Sequence, residues 1–115
     1  MSMKLKIKGN DIPVDWELNQ AVYTLNEDAQ KSPINVKMEK YGGFEQVGFL
    51  GKNYPRSDKH IKTEVGDIVL YNGNNIVIFY GQNSWSYTKL GRIKLSDNQI
   101  VDLLSNEELL LTLTS

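Results

Sequence analysis

The stretch "GDIVLYNGNNIVIFYG", residues 66–81, limits the folds open to this chain more than any other. Two runs of β-branched and aromatic residues flank Asn72-Gly73-Asn74-Asn75, residue types that tolerate the positive φ of tight hairpin turns. The runs are almost continuously apolar, where a strand with one wet face would alternate. Such strands are covered on both faces or closed into a barrel.

The rest of the chain supplies further strands. In "KLKIK" Leu5 and Ile7 alternate with lysines, and in "IPVDWEL" Ile12, Val14 and Trp16 share one face. With Gly9 to Asp11 between them these segments form a predicted hairpin, and Pro13 favours an edge position. "INVKMEKY" alternates as well, with Ile34, Val36 and Met38 on one face. "EQVGFL", "LGRIKL" and "LLLTLT" are predicted as shorter strands.

Two short helices complete the pattern. Asn19 is placed to cap a helix to about Gln30, with Val22, Leu25 and Ala29 on its apolar face. Ser96 to Gln99 has the form of a capping box before Ile100, Val101, Leu103 and Leu104. About eight strands and two helices imply a mainly-β domain, closed so as to hide its edges. Residues 51–65 are polar and aperiodic, long for a structureless loop in a compact domain.

At 115 residues the chain fits one domain, residues 1–115, with no internal repeat or linker. It has no cysteine, which excludes thiolate nucleophiles, disulfides and zinc–thiolate sites. His60 is the only histidine, so no two-histidine metal face exists, and neither a metal nor a cofactor is expected. The formal net charge of −1, with signs interleaved, gives no field to steer nucleic acid or an anionic membrane. Lys52, Arg56, Lys59 and Lys62 form a basic segment with only Tyr54 among them, a poor platform for single strands. "GFLGKNY" lacks the first glycine and the Ser/Thr of a phosphate loop. No run has signal-peptide or membrane-spanning length, so the expected location is cytoplasmic.

The remaining chemistry lies in one carboxylate and the aromatics. Glu45 enters its strand just after a glycine-permitted bend. It is either a rim carboxylate facing a pocket or an outward residue paired with a lysine. Trp85 and Tyr87 fall in the Ser- and Asn-rich "QNSWSYT", expected to be a loop that either faces a ligand or closes a packed corner. Arg92 is expected on the barrel surface. A Ser–His–Asp arrangement is compatible with composition, but no nucleophile-elbow pattern supports it.

"YGGFEQVGFL", "VGDIVLYNGNNIVIFYG" and "SWSYTKLGRI", in that order, resemble the bacterial cyclophilin-like proteins, a group of unknown function. The resemblance runs from about Lys4 to Thr114. It implies a closed eight-stranded cyclophilin-like β-barrel with two short flanking helices. True cyclophilins are peptidyl-prolyl isomerases whose site combines an arginine, a glutamine, phenylalanines, a tryptophan and a histidine on one barrel face. By this resemblance the arginine strand matches "FEQVGFL", which offers Glu45 and Gln46 in place of a cation. Phe79 matches a pocket phenylalanine, Tyr87 falls near the histidine position, and Trp85 is out of register with the tryptophan. Without the arginine, the electrostatics that favour the twisted prolyl amide are missing or inverted.

The expected function is therefore a non-catalytic or weakly catalytic domain that binds a peptide or small ligand on this face. Glu45, Phe49, Phe79, Trp85 and Tyr87 are the candidate ligand-binding residues. The alternative is a prolyl isomerase acting through an aromatic, desolvating pocket. An enzyme using Glu45 with His60 is a third class.

Overall fold

In the computed structural model, which describes residues 2–115, the hairpin around Gly73 is the middle of a barrel wall. β7 (Asp67–Tyr71) and β8 (Asn75–Phe79) pair antiparallel with Tyr71 opposite Asn75, which leaves a three-residue turn, 72–74. Asn72 (φ 55°) and Gly73 (φ 75°) take the positive φ that the turn requires.

The other elements follow in chain order. β1 (Lys4–Ile7), β2 (Asn10–Ile12) and β3 (Val14–Trp16) precede α1 (Gln20–Lys31). β4 (Ile34–Tyr41), β5 (Glu45–Phe49) and β6 (Lys59–Lys62) come before the central hairpin. β9 (Ser84–Ile93), α2 (Asp97–Leu104) and β10 (Leu109–Thr114) come after it. The strand order is β2-β1-β10-β4-β5-β8-β7-β9-β3. Its two ends, β2 and β3, are separated in the chain by Pro13 alone, so one kinked segment bridges the seam of a nearly closed barrel. With β2 and β3 taken as one stave, the ring has the eight strands expected. The expected hairpin is accordingly only β1 with β2; past Pro13 the chain crosses to β9, where Val14 faces Ile93.

Both helices start where their caps predict. The Asn19 side chain accepts the Val22 N–H, and Ser96 and Gln99 complete a reciprocal capping box. Val22 and Leu25 of α1 and Ile100 and Leu104 of α2 enter the same core cluster as the barrel residues Leu5, Ile7, Met38 and Leu111. Each such side chain contributes about 1.5–3 kcal/mol by leaving water.

A second, smaller cluster lies on the other face of the wall. Val69, Val77, Phe79 and Tyr87 are buried there, with Phe44, Val47 and Ile61 packed against them. Ile76 and Ile78 of β8 belong to the inner cluster, while Val77 and Phe79 belong to the outer one. Two-sided burial is why these strands carry continuous apolar runs.

Residues 51–65, polar and without a clear period but too long to be expected wholly structureless, form a tethered strap that contains β6. The Tyr54 N–H donates to the Gly73 carbonyl at 2.8 Å, and its hydroxyl donates to Asp28 Oδ2 at 2.7 Å. Further along, the Ser57 N–H donates to Thr88 Oγ1 (2.9 Å), and that hydroxyl donates to Asp58 Oδ1 (2.6 Å). β6 then pairs with the first residues of β9 and with no other strand, Ile61 opposite Trp85. No helix among the described residues is long and apolar enough to cross a membrane.

Candidate functional site

The bend after β4 sets the position of the site. Gly42 has φ 66°, and a Cβ there would lie 2.2 Å from the Phe44 ring. A Cβ on Gly81 would lie 2.8 Å from Phe44 Cβ. Only glycine leaves room for Phe44 at both places. The Phe44 carbonyl accepts the N–H groups of Tyr80 (2.9 Å) and Gly81 (3.0 Å), which ties the bend to the end of β8. The Phe44 ring then stacks parallel to Phe79, with centroids 6.5 Å apart. Phe79 meets Tyr87 edge-on at 5.6 Å, and Tyr87 meets Tyr71 at 6.0 Å. The aromatics thus form one connected array from the bend before β5 across β8, β9 and β7.

Above this array is a cavity of about 270 Å³ whose lining includes Glu45, Phe44, Tyr71, Trp85 and Tyr87. Glu45 is the only acidic residue in the lining and is 7% exposed. The ion pairs of the described residues involve other acids, and burial alone pushes the Glu45 carboxyl up to about 7. Neither the lysine-paired nor the plainly outward alternative describes it; it is a sequestered carboxyl facing a cavity. Beside it, burial raises the Tyr87 hydroxyl above the usual tyrosine range, and the Glu45 charge adds to the effect. Asn83 Nδ2 donates to that hydroxyl at 2.8 Å. Asn83 is fixed in turn by Thr63, whose N–H and hydroxyl both donate to its carbonyl (2.8 and 3.0 Å).

The structure brings three of the five candidate residues together at this cavity: Glu45, Trp85 and Tyr87. Phe79 is 0% exposed and lies beneath the lining, where it supports Phe44 and Tyr87. Phe49, at the end of β5, is 62% exposed and outside the lining. Trp85 and Tyr87 are not in a loop, as expected from composition, but in β9, paired with Ile61 and Lys59 of β6. The serines that obscured the strand are its other face: Ser84 and Ser86 alternate with Trp85 and Tyr87. Tyr41, Phe44, Val47, Tyr71, Val77 and Asn83 also line the cavity and were not among the named candidate residues. Alternation from Glu45 is the signal that points to Val47, and Val77 is the residue directly opposite Val47 on β8.

Other residues weighed for chemistry lie elsewhere. Gln46 is wholly buried, and its amide donates to the carbonyls of Leu104 (2.8 Å) and Glu107 (2.9 Å), which anchors the turn between α2 and β10. His60 is exposed on β6 and absent from the lining, so it does not meet Glu45 in this cavity. Arg92 pairs with buried Asp67, Nε to Oδ1 at 3.0 Å. Among the described residues no group of three His, Asp or Glu side chains is arranged to hold a metal.

Comparison with known proteins agrees with this architecture. The solution structure of a hypothetical protein from Archaeoglobus fulgidus is similar to it with a TM-score of 0.62 at 17% identity. The similarity covers 97% of this chain and 92% of that one, and at this identity it speaks for the fold alone. No curated protein matches the chain. The profile of the cyclophilin-like family matches residues 5–114, nearly the full length of the sequence. The chain belongs to the cyclophilin-like family.

Proposed function

We propose that this protein is a binding domain which takes a small ligand, or one side chain of a peptide, in the cavity at Glu45. The observation that carries this reading is a carboxyl 7% exposed, without a partner, at an aromatic-walled cavity. Burying an ionisable group without compensation destabilises a fold, so such groups concentrate at sites that use them. Glu45 fixes a donor or a cationic group, and Phe44, Tyr71, Trp85 and Tyr87 supply apolar contact. Trp85, 56% exposed, stands at the open side, where an aromatic residue has no core to fill.

Prolyl isomerisation is the less supported reading. No arginine or lysine lines the cavity, so nothing there matches the cation that stabilises the twisted amide in cyclophilins. The test is ligand-observed NMR against a peptide and metabolite library, with the Trp85 and Tyr87 resonances monitored on the protein. Binders that shift both residues and lose affinity in Trp85→Ala are expected. If no compound perturbs either residue, the binding reading fails. A protease-coupled proline-peptide assay that finds isomerisation, lost in the cavity variant Trp85→Ala, overturns the non-catalytic part of the reading.

A further inference from the structure

Two acidic residues are buried in the described structure, and they are treated differently. Asp67 is held by Arg92 at 3.0 Å, by Lys89 at 3.8 Å and by the Glu64 N–H at 2.9 Å. The less buried acids are also matched: Asp28 by Lys52 and Tyr54, Asp58 by Arg56 and Thr88. Glu45 alone is sequestered with no such partner.

We propose, resting on the binding function argued above, that the missing partner is an organic ammonium group, held by Glu45 inside a cage of Tyr71, Trp85, Tyr87, Phe44 and Tyr41. Three features of the cavity select this class. The electron-rich faces of its rings attract a cation, most strongly when the cation is shielded from water. Its one formal charge is negative and no arginine or lysine lines it, which turns away phosphates and carboxylates. Its volume of about 270 Å³ lies just below the roughly 300–1,000 Å³ of common ligand sites, which suits a compact amine and not a nucleotide. The same ammonium chemistry is offered by a free amine and by a lysine side chain of a peptide.

Protonation of Glu45 sets the direction of the pH response. The other titratable groups in the lining are the hydroxyls of Tyr41, Tyr71 and Tyr87. Lys59, His60 and Lys62 of β6 pair with the β9 backbone but are not in the lining. With its carboxyl at about 7, Glu45 is mostly neutral at pH 6 and mostly ionised at pH 8. An ammonium ligand binds the ionised form, so its affinity rises with pH. A ligand that presents a carbonyl accepts from the neutral form, so its affinity falls.

The test titrates the full chain with phenethylammonium and with its neutral analogue 2-phenylethanol at pH 6 and pH 8, followed at the Trp85 indole N–H by NMR. The expected result is about tenfold tighter ammonium binding at pH 8, the ratio of ionised Glu45 at the two values, with little change for the alcohol. Glu45→Gln is expected to abolish the preference for the ammonium while the alcohol still binds; Trp85→Ala, on an exposed side chain and followed at the Tyr87 amide because it lacks the indole, is expected to weaken the ammonium without unfolding the protein. Competition by Nα-acetyl-lysine N-methylamide separates the sources: tighter binding than phenethylammonium assigns the cage to a peptide lysine, weaker binding to a free amine. If the alcohol binds at least as well at both pH values, or ammonium affinity falls as pH rises, the cation assignment is overturned and the binding function stands. If neither probe moves Trp85, nor any library compound, both are overturned.

Discussion

Glu45 and Phe79 are direct partners across the β5–β8 ladder, so the one sequestered carboxyl without a partner sits beside a ring that no water reaches. The strand pairing, more than the bend before it, sets the electrostatics of the cavity. Taking Glu45 from its ordinary value of 4.5 to about 7 means that the folded chain holds this proton more tightly than the unfolded one. The resulting stabilisation is full below 4.5 and is lost as pH rises through 7. Allowing for water at the open side of the cavity, it amounts to about 1–2 kcal/mol. Urea midpoints measured from pH 4.5 to 8 should show this loss in the native chain. Glu45→Gln should flatten the profile and raise stability at pH 8 by a similar amount.

Phe79→Ala should cost about 3–5 kcal/mol, because the ring is wholly buried and supports Phe44 on one side and Tyr87 on the other. Phe79→Leu keeps much of the volume and should cost about half as much. Chemical denaturation of the two variants tests this. A ring that merely lined the surface would give a much smaller loss.

Trp85→Ala should leave stability within about 0.5 kcal/mol, since the indole is mostly exposed. Ligand affinity should fall all the same. A melting temperature that drops by many degrees would mean that Trp85 closes a packed corner, the other role open to it from the sequence.

Tyr54→Phe removes the hydrogen bond that holds the 51–65 strap to α1, a loss of about 1–2 kcal/mol at neutral pH. The Lys52 hydrogen bond and that of Tyr54 hold the Asp28 carboxyl below its ordinary 3.8. Its stabilising contribution is therefore present above 3.8 and is lost as pH falls through the lowered value. The gap between native and Tyr54→Phe stabilities should narrow in acid over that range, which denaturation at pH 7 and at pH 3 checks.

Gly81→Ala places a methyl against Phe44 Cβ and Cα, at 2.8 and 3.2 Å, so the bend has to shift. A destabilisation of about 1–3 kcal/mol is expected. Shifts of the Phe44 and Glu45 amide resonances should accompany it, since both residues follow the displaced bend.

The barrel was legible wherever a strand's alternation or a turn residue was strong. Asn19, Ser96 and the Asn72-Gly73 turn all act as their chemistry predicts. Legibility failed where a strand depends on its neighbour. "KHIK" is too charged to signal a strand and becomes one only against β9. "SWSYT" carries a period of two, yet its serines and the preceding Gln82-Asn83 imitate a loop. Within the site, Glu45 was legible as a carboxylate after a bend, but its lack of a partner was not. That depends on where every lysine and arginine ends up, a property of the whole fold. Phe49 shares the alternation of Glu45 and Val47, and only the length of β5 shows that it falls outside the cavity.

Pro13, with no N–H to give, divides the segment that bridges the barrel seam. Three residue pairs hold β3 to β9, the Glu17 N–H donates to the Leu90 carbonyl at 2.8 Å, and two further bonds reinforce this latch. The Pro13 carbonyl accepts the Lys94 N–H at 2.8 Å, and the Trp16 indole donates to the Met3 carbonyl at 3.0 Å. Were this latch to slip, the flank of β9 along Gly91–Ile93 would become a raw edge, ready to recruit the same strand from another molecule. The three residues Val14–Trp16 thus cover a flank of β9 that would otherwise be an open edge.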